Sequence, residues 1–287
     1  MIYTLTANPS LDVYVKTDVV PGTVNRSRGD SIYPGGKGIN VSVVLSRLGC
    51  KNTAIVPVAG STGEMLKNML HKVIDARYVY LDEGITRINM KALGDKSETE
   101  INGKGVAFDV EKLKLSLGLV TRDDILAVCG SFADYSLIDS IAGYVDTKKL
   151  VFDIPRIEHA IKHSPFVIKP NIRELEEYFG GSIETREVEK YAQRLIELGC
   201  RNVLVSMGSE GAFFCNRNYS FYVPAFGGEC VNSVGSGDSM LAGLLYGIEK
   251  GMTVEDAVRL AVSCGSATAF CEHLAQKEDI EKLFGKI

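Results

Sequence analysis

Hydrophobic spacing changes character along the 287-residue chain. In the second half, helix-period segments alternate with apolar runs of strand length. Residues 135–149 place Leu137, Ile138, Ile141 and Val145 on one side and predict a helix. The run Leu150–Ile154 has strand length, and another short strand is expected over 165–168. Helices are predicted over 172–179, stopping at Gly180-Gly181, and over 187–198, stopping at Gly199. A buried strand follows at 201–206, and the alternation over 211–223 reads as a hairpin. The chain then predicts a strand at 230–234, a glycine turn, and helices over 239–250 and 254–271. Strands separated by helices require a largely parallel sheet covered on both faces.

The first half has a different texture. Residues 12–16 and 87–93 alternate apolar with polar side chains, and 98–102 is polar and extended. Such segments are too polar to be buried on both faces. They predict a small half-exposed sheet beside the main one, with strands from about 12–33 and 86–103, the usual form of a lid. No internal repeat or long linker divides the chain, so 1–287 reads as one α/β domain with this appendage. Exposed strands need something against their outer face, and a homodimer joined through the lids is expected.

Composition narrows the class. Lys and Arg total 32 against 36 Asp and Glu, a formal net charge of −4, so no global basic excess points to nucleic acid or an acidic membrane. Seven cysteines, an odd number with no CxxC pair, read as free thiols in a reducing cytosol. The N-terminus lacks the basic region of a signal peptide, and no apolar run approaches the roughly 20 residues of a membrane helix. A soluble cytoplasmic protein is expected. His159 and His163 have metal-chelating i, i+4 spacing but no evident third ligand, and read as a solvated helix face. Met65 and Met69, also i, i+4, read as core. No Gly-x-Ser-x-Gly elbow supports hydrolase chemistry.

The 29 glycines, about one residue in ten, direct attention to three loops. The sharpest is Val231-Asn232-Ser233-Val234-Gly235-Ser236-Gly237-Asp238-Ser239, which turns into an apolar helix. Free amides and the positive dipole end make such a turn an anion site. It is neither a dinucleotide fingerprint nor a Walker A loop, because Met240 holds the third glycine position and no Gly-Lys-Ser/Thr follows. Asp238 there is either a proton acceptor or an ordinary first-turn acid. In Gly35-Gly36-Lys37-Gly38-Ile39-Asn40, Lys37 either holds an anionic oxygen or merely starts a helix in solvent. In Lys169-Pro170-Asn171-Ile172-Arg173-Glu174, Asn171 and Glu174 share a helix face and form either a water-mediated Mg²⁺ site or a capping box.

Taken together and in this order, the three loops resemble the PfkB (ribokinase-like) carbohydrate kinases over essentially the whole chain. Thr4 to Asp12, Thr86 to Lys91 and Thr99-Glu100-Ile101-Asn102-Gly103 resemble the 1-phosphofructokinase and tagatose-6-phosphate kinase branch. The resemblance implies a ribokinase-like three-layer α/β/α core with a mainly parallel sheet, a small β-sheet lid, and ATP with Mg²⁺. It implies Asp238 as catalytic base and Gly235, Ser236 and Gly237 as the anion hole. Asp12, Gly36 and Asn40 would hold sugar hydroxyls. Lys37, Arg28, Arg87 and Lys91, with Lys104 after them, would face the phosphate already on the substrate. Lys169, Asn171, Ser206, Gly208, Gly211, Ser263 and Ser266 would line the nucleotide, while Asn171 and Glu174 would place Mg²⁺ through water.

Two loops depart from the branch. Gly130-Ser131-Phe132-Ala133-Asp134 stands where Gly-Ser-Leu-Pro and a following glycine are usual, so Ser131 is carried over as a substrate residue while its neighbours change. Asp153-Ile154-Pro155-Arg156 stands where Asp-x-Ser-Gly is usual. The implied reaction is phosphorylation of fructose 1-phosphate to fructose 1,6-bisphosphate. Tagatose 6-phosphate or another sugar is the alternative substrate, and a silent sugar-phosphate sensor is the alternative outside catalysis.

Overall fold

The computed structural model describes residues 1–95 and 98–287; residues 96 and 97, inside the expected 86–103 lid span, lie outside the described residues. The strands are β1 (Ile2–Thr6), β2 (Ser10–Lys16), β3 (Asp30–Gly35), β4 (Asn52–Val58), β5 (Ala76–Tyr80), β6 (Arg87–Leu93), β7 (Glu98–Asn102), β8 (Ile125–Cys129), β9 (Lys149–Asp153), β10 (Val167–Ile168), β11 (Asn202–Ser206), β12 (Ala212–Asn216) and β13 (Ser220–Val223). The helices are α1 (Lys37–Arg47), α2 (Gly60–Leu70), α3 (Lys114–Leu117), α4 (Leu137–Tyr144), α5 (Ile157–Ile161), α6 (Ile172–Phe179), α7 (Val188–Glu197), α8 (Ser236–Glu249), α9 (Val254–Ala269) and α10 (Lys277–Phe284).

Among the described residues, nine strands form the main sheet in the order β13-β12-β11-β10-β9-β8-β1-β4-β5. All pair in parallel except the antiparallel edge β11-β12-β13. Strand alternation feeds two cores. Ile125, Ala127 and Cys129 of β8 pack toward α1, α8 and α9, while Leu126 and Val128 face the cluster that holds Ile138, Ile157, Leu175 and Leu195. The expected three-layer α/β/α core is present. The chain enters on β1, builds β4 and β5 on one side, then crosses to β8 on the other. The carboxyl ends of β1 and β8 therefore lie at the switch in strand order, where open α/β sheets bind their ligands.

The second sheet has the order β3-β2-β6-β7, with β2 and β6 parallel and both outer pairs antiparallel. Its register sorts the side chains by face. Tyr33, Asp12, Asn89 and Asn102 lie in one row across the sheet, next to Ser31, Tyr14, Lys91 and Glu100. The intervening row is Ile32, Val13, Met90 and Ile101, which points to the opposite face by the period of two.

Several predicted boundaries shift. The helix expected over 135–149 is only Leu137–Tyr144, because Val145 is already extended and Lys149 starts β9. The strand expected over 165–168 shortens to Val167–Ile168. The last two long helices run 236–249 and 254–269 rather than 239–250 and 254–271. The predicted strand at 230–234 is a loop. Val231 and Val234 are exposed, and the amides of Val231 and Asn232 both donate to the Ala269 carbonyl at the end of α9 instead of a strand. Met65 is exposed rather than core, while Met69 is partly buried against the cluster that holds Val56, Val58 and Leu66. All seven cysteines are free, and five of them are buried.

Candidate active site

A cleft of about 320 Å³ opens between the lid's polar face and the carboxyl ends of β1, β8 and β9. Asp12, Lys37, Asn40, Arg87, Lys91 and Asp238 all line it, together with Gly36, Ser131 and Glu174. These residues come from separate segments of the sequence, and the fold brings them into one space.

The floor is a network of charges. Asp153 ends β9 with no exposed surface, and its two oxygens lie 2.9 Å from Lys37 Nζ and 3.1 Å from Lys169 Nζ. Burial alone would raise the Asp153 pKa, but Lys169 and Lys37 outweigh it and hold the carboxyl below its ordinary value. Burial likewise opposes the charge on Lys37, and Asp153, Glu174 and Asp238 reverse the effect and raise its pKa. Asp153 carried no assigned role in the sequence. Its one signal was a charge closing an otherwise apolar strand, at the sheet end where ligands bind.

Asp238 is buried in the first turn of α8, and Asn40 Nδ2 donates to its Oδ2 at 2.8 Å. Burial first, and the charge of Asp153 second, push its carboxyl up to about 6. The positive end of α8 would lower the pKa of a first-turn acid, and here burial and Asp153 outweigh it. Gly235 caps α8 in the left-handed region, with φ 80°. A Cβ added at Gly237 would lie 3.4 Å from Lys169 Nζ, so the bare backbone leaves a cradle facing an ammonium group. Ser236 Oγ is buried there without a hydrogen-bond partner. The Ser236 amide is spent on the Ser233 carbonyl, which leaves those of Gly237 and Asp238 as the ones the helix itself does not use. A cradle, an unpartnered hydroxyl and converging amides suit a phosphoryl group.

The glycine-lysine loop is shaped by close approach. Gly36 has φ 134°, and a Cβ there would lie 2.5 Å from Thr6 Cγ2. α1 therefore begins hard against the end of β1, which aims Lys37 at the floor and Asn40 at Asp238. Lys37 is not a solvent lysine.

On the lid, Asp12 Oδ1 accepts from Ser10 Oγ at 2.7 Å and from Asn89 Nδ2 at 2.9 Å. Asn89 was missed in the sequence, although it lies beside Asp12 in the parallel β2–β6 register. Arg87 donates to the carbonyls of Asn8 and Gly103, and burial lowers its pKa. Lys91 is only 7% exposed, and its Nζ lies 3.3 Å from Glu100 Oε1. Its ammonium also sits 5.3 Å from the Tyr14 ring centroid. Burial opposes its charge, but Tyr14, Glu100 and Asp12 outweigh it and raise its pKa.

The structure does not gather every expected residue. Arg28 does not line this cleft. It pairs with Asp95 at 2.9 Å and with Asp18 at 3.5 Å, and it borders a larger neighbouring cavity. Lys104 is exposed and contributes only its carbonyl, which accepts from Asn8. Ser263 is fully buried and donates back to the Arg259 carbonyl one turn earlier, so it is spent inside α9. Ser266 accepts the Phe226 amide at 3.2 Å. Gly211 serves the chain path, since a Cβ there would lie 2.5 Å from the Ala225 amide nitrogen. Ser206 bridges to Asn171 at the carboxyl end of β11, and Gly208 has open space around it.

Asn171 and Glu174 form the capping box at the start of α6, each side chain accepting the other's amide at 2.9 Å. Glu174 Oε1 remains, 3.7 Å from Lys37 Nζ, and burial raises its pKa. Among the described residues, no three His, Cys, Asp or Glu side chains gather to hold a metal ion directly. Glu174 Oε1, the oxygen the capping box leaves unused, is a hard donor of the kind that meets a hydrated Mg²⁺. His159 stacks on Tyr135, and His163 meets Asp139 at 2.8 Å. No helix among the described residues is long and apolar enough to cross a membrane.

Known proteins are similar to this chain in sequence and in fold. The family model described as pfkB family carbohydrate kinase matches residues 7–280. A 1-phosphofructokinase of Bacillus subtilis is 38% identical, covering 100% of this chain and 98% of that protein. A D-tagatose-1-phosphate kinase of Bacillus licheniformis is 33% identical, covering 99% of this chain and 96% of its own length. The crystal structure of phosphofructokinase-2 from Escherichia coli with substrates and products superposes with a TM-score of 0.88 at 26% identity, over 99% of this chain and 98% of that one. With a family match across nearly its whole length, the chain belongs to the pfkB family of carbohydrate kinases.

Proposed function

We propose that this protein transfers the γ-phosphoryl group of ATP to a hydroxyl of fructose 1-phosphate, giving fructose 1,6-bisphosphate and ADP. The observation that carries the reading is Asp238: a buried carboxylate, oriented by Asn40, at a glycine turn faced by Lys169. Asp238 takes the proton of the sugar hydroxyl as its oxygen attacks phosphorus. Gly237 and Asp238 amides, with Ser236 Oγ, receive the equatorial oxygens of the transferring group. Lys37 and Lys169 stand ready for the charge on the phosphates. Magnesium, when bound, neutralises phosphate charge, and Glu174 with Asn171 would hold its waters. On the lid, Asp12 and Asn89 meet the sugar hydroxyls, and Arg87 with Lys91 meets the phosphate that does not react.

A coupled ADP-release assay across a panel of sugars and sugar phosphates tests this. Fructose 1-phosphate is expected to give the highest kcat/KM. The 33% identity to a D-tagatose-1-phosphate kinase favours tagatose 1-phosphate as second choice. Turnover of unphosphorylated sugars alone would overturn the assignment of the lid cations. Measurable binding with no turnover of any sugar phosphate would indicate a sensor.

The assembly proposed with this function is a homodimer through the lids. Ile32, Met90 and Ile101 are exposed on the outer face in one row across the sheet, with Ile101 at 64%. A second lid would cover that row. Light scattering should give twice the chain mass for the native protein and the single mass for Ile101→Lys; a native monomer at assay concentration would refute the pairing.

A further inference from the structure

Glu100 is the carboxylate of the cleft that the proposed reaction leaves without a task. It stands on the edge strand β7, directly across from Lys91 of β6. Its Oε1 lies 3.3 Å from Lys91 Nζ, and Asn102 Nδ2 reaches its Oε2 at 3.4 Å. Lys91 is nearly buried, so its ammonium has lost most of its water and needs an anion near it. Glu100 itself is 43% exposed and borders the open cleft. Tyr14 offers Lys91 the face of its ring but no full negative charge. The ammonium that is to meet the substrate's stationary phosphate is thus already occupied by a carboxylate. A dianion arriving beside that carboxylate meets a like charge at hydrogen-bonding range.

We infer that Glu100 is a displaceable counter-ion: it holds Lys91 in the empty cleft, and the stationary phosphate of the substrate must drive it outward to bind. The inference rests on the reading of Lys91 as a phosphate ligand. The geometry makes the exchange feasible. Glu100 is on an edge strand, is more than one-third exposed, and is held from its far side by a single amide. The exchange also gives the lid a means of discrimination. A singly charged or neutral sugar would not repay the loss of the Lys91–Glu100 pair, whereas a dianion would. Glu100 is accordingly a positioning residue, acting through Lys91 and never on the reacting atoms.

The test uses Glu100→Gln, which keeps length and hydrogen bonding while removing the competing charge, with Glu100→Asp as the charge-retaining control. For Glu100→Gln, the KM for fructose 1-phosphate should fall about two- to five-fold, the range expected when a partly exposed ion pair is removed. The KM for ATP should not move. kcat should stay level or drop, because the bisphosphate product is also held more tightly. Glu100→Asp should stay near the native KM. Inorganic phosphate should stabilise Glu100→Gln against heat at lower concentrations than it needs for the native protein. That arm requires no turnover, so it separates this inference from the proposed activity. If the native protein fails to phosphorylate fructose 1-phosphate, the activity falls while the phosphate titration still decides on Glu100. An unchanged or raised KM together with an unchanged phosphate titration would overturn the inference.

Discussion

On the floor of the cleft Asp153 has no exposed surface and is held on both sides, by Lys37 and by Lys169; on the lid Glu100 is 43% exposed and, among the described residues, pairs with one cation, Lys91. The floor carboxylate closes a central strand of a nine-stranded sheet, while the lid carboxylate rides on the edge of a four-stranded one. Asp153 cannot leave without stranding buried Lys169 and partly buried Lys37. Glu100 can leave at the cost of one pair. The floor, where the phosphoryl group is to be transferred, is therefore set in advance by charges that fix one another. The lid, where the substrate is recognised, keeps a charge that can yield. Preorganisation belongs where the transition state forms, and adaptability is tolerable where only recognition is at stake.

The sharpest way to test this contrast is to remove the reactive charge from the floor. Asp238→Asn should lower kcat by about 10³-fold, within the usual range for a general base. Ionised Asp238 is held against burial and against Asp153, so its loss should leave thermal stability unchanged or raise it. A variant with near-native turnover would break the assignment. The next effect in size is on the fold. Asp153→Asn leaves two lysines without their carboxylate, and breaking such a buried pair costs about 3 kcal/mol or more. A fall in Tm of about 5–10 °C is expected by calorimetry. Lys91→Met on the lid should do the reverse. The KM for the sugar phosphate should rise about 10- to 100-fold, the scale of a lost charged hydrogen bond. The KM for ATP and the Tm should hardly change.

The smallest effect sharpens the comparison through pH. With its carboxyl pushed up to about 6, Asp238 is protonated and idle below that pH and active above it. The acid limb of kcat/KM should fall near pH 6. In Asp153→Asn the limb should move to lower pH, because a negative neighbour is gone. A limb that stays in place would mean that Asp153 does not act on Asp238.

The same contrast explains what could be read in the chain. The parallel core was legible because strands such as Lys149–Asp153 and Asn202–Ser206 carry unbroken apolar runs, Leu150–Phe152 and Val203–Val205. Asp238 and the glycine turn were legible because their geometry is local, a few residues around one helix start. Asp153 was not, because its meaning depends on Lys37, more than a hundred residues away, and Lys169. Arg28 lies outside this cleft for a related reason: its positive charge was visible, but its pairing with Asp95 is set by the lid. The loop at 230–234 looked like a strand because Val231 and Val234 are apolar, yet β13 already closes that edge of the sheet. Periodicity reports burial along one element and is silent on charge pairs made between elements.

The parallel pairing of β2 with β6 has a consequence for how the molecule comes into being. Each of these strands has a near neighbour, β3 or β7, with which it can form a hairpin early and locally. Their own pairing aligns Ser10 with Arg87 across the whole intervening β4–β5 unit. Contacts so distant along the chain form slowly. Asp12 travels on one hairpin, and Arg87 and Lys91 on the other. Pulse-labelled amide exchange during refolding is expected to protect the β2–β6 seam after the β1–β4 seam. A chain still short of that step would have a finished catalytic floor and no means of recognising its sugar.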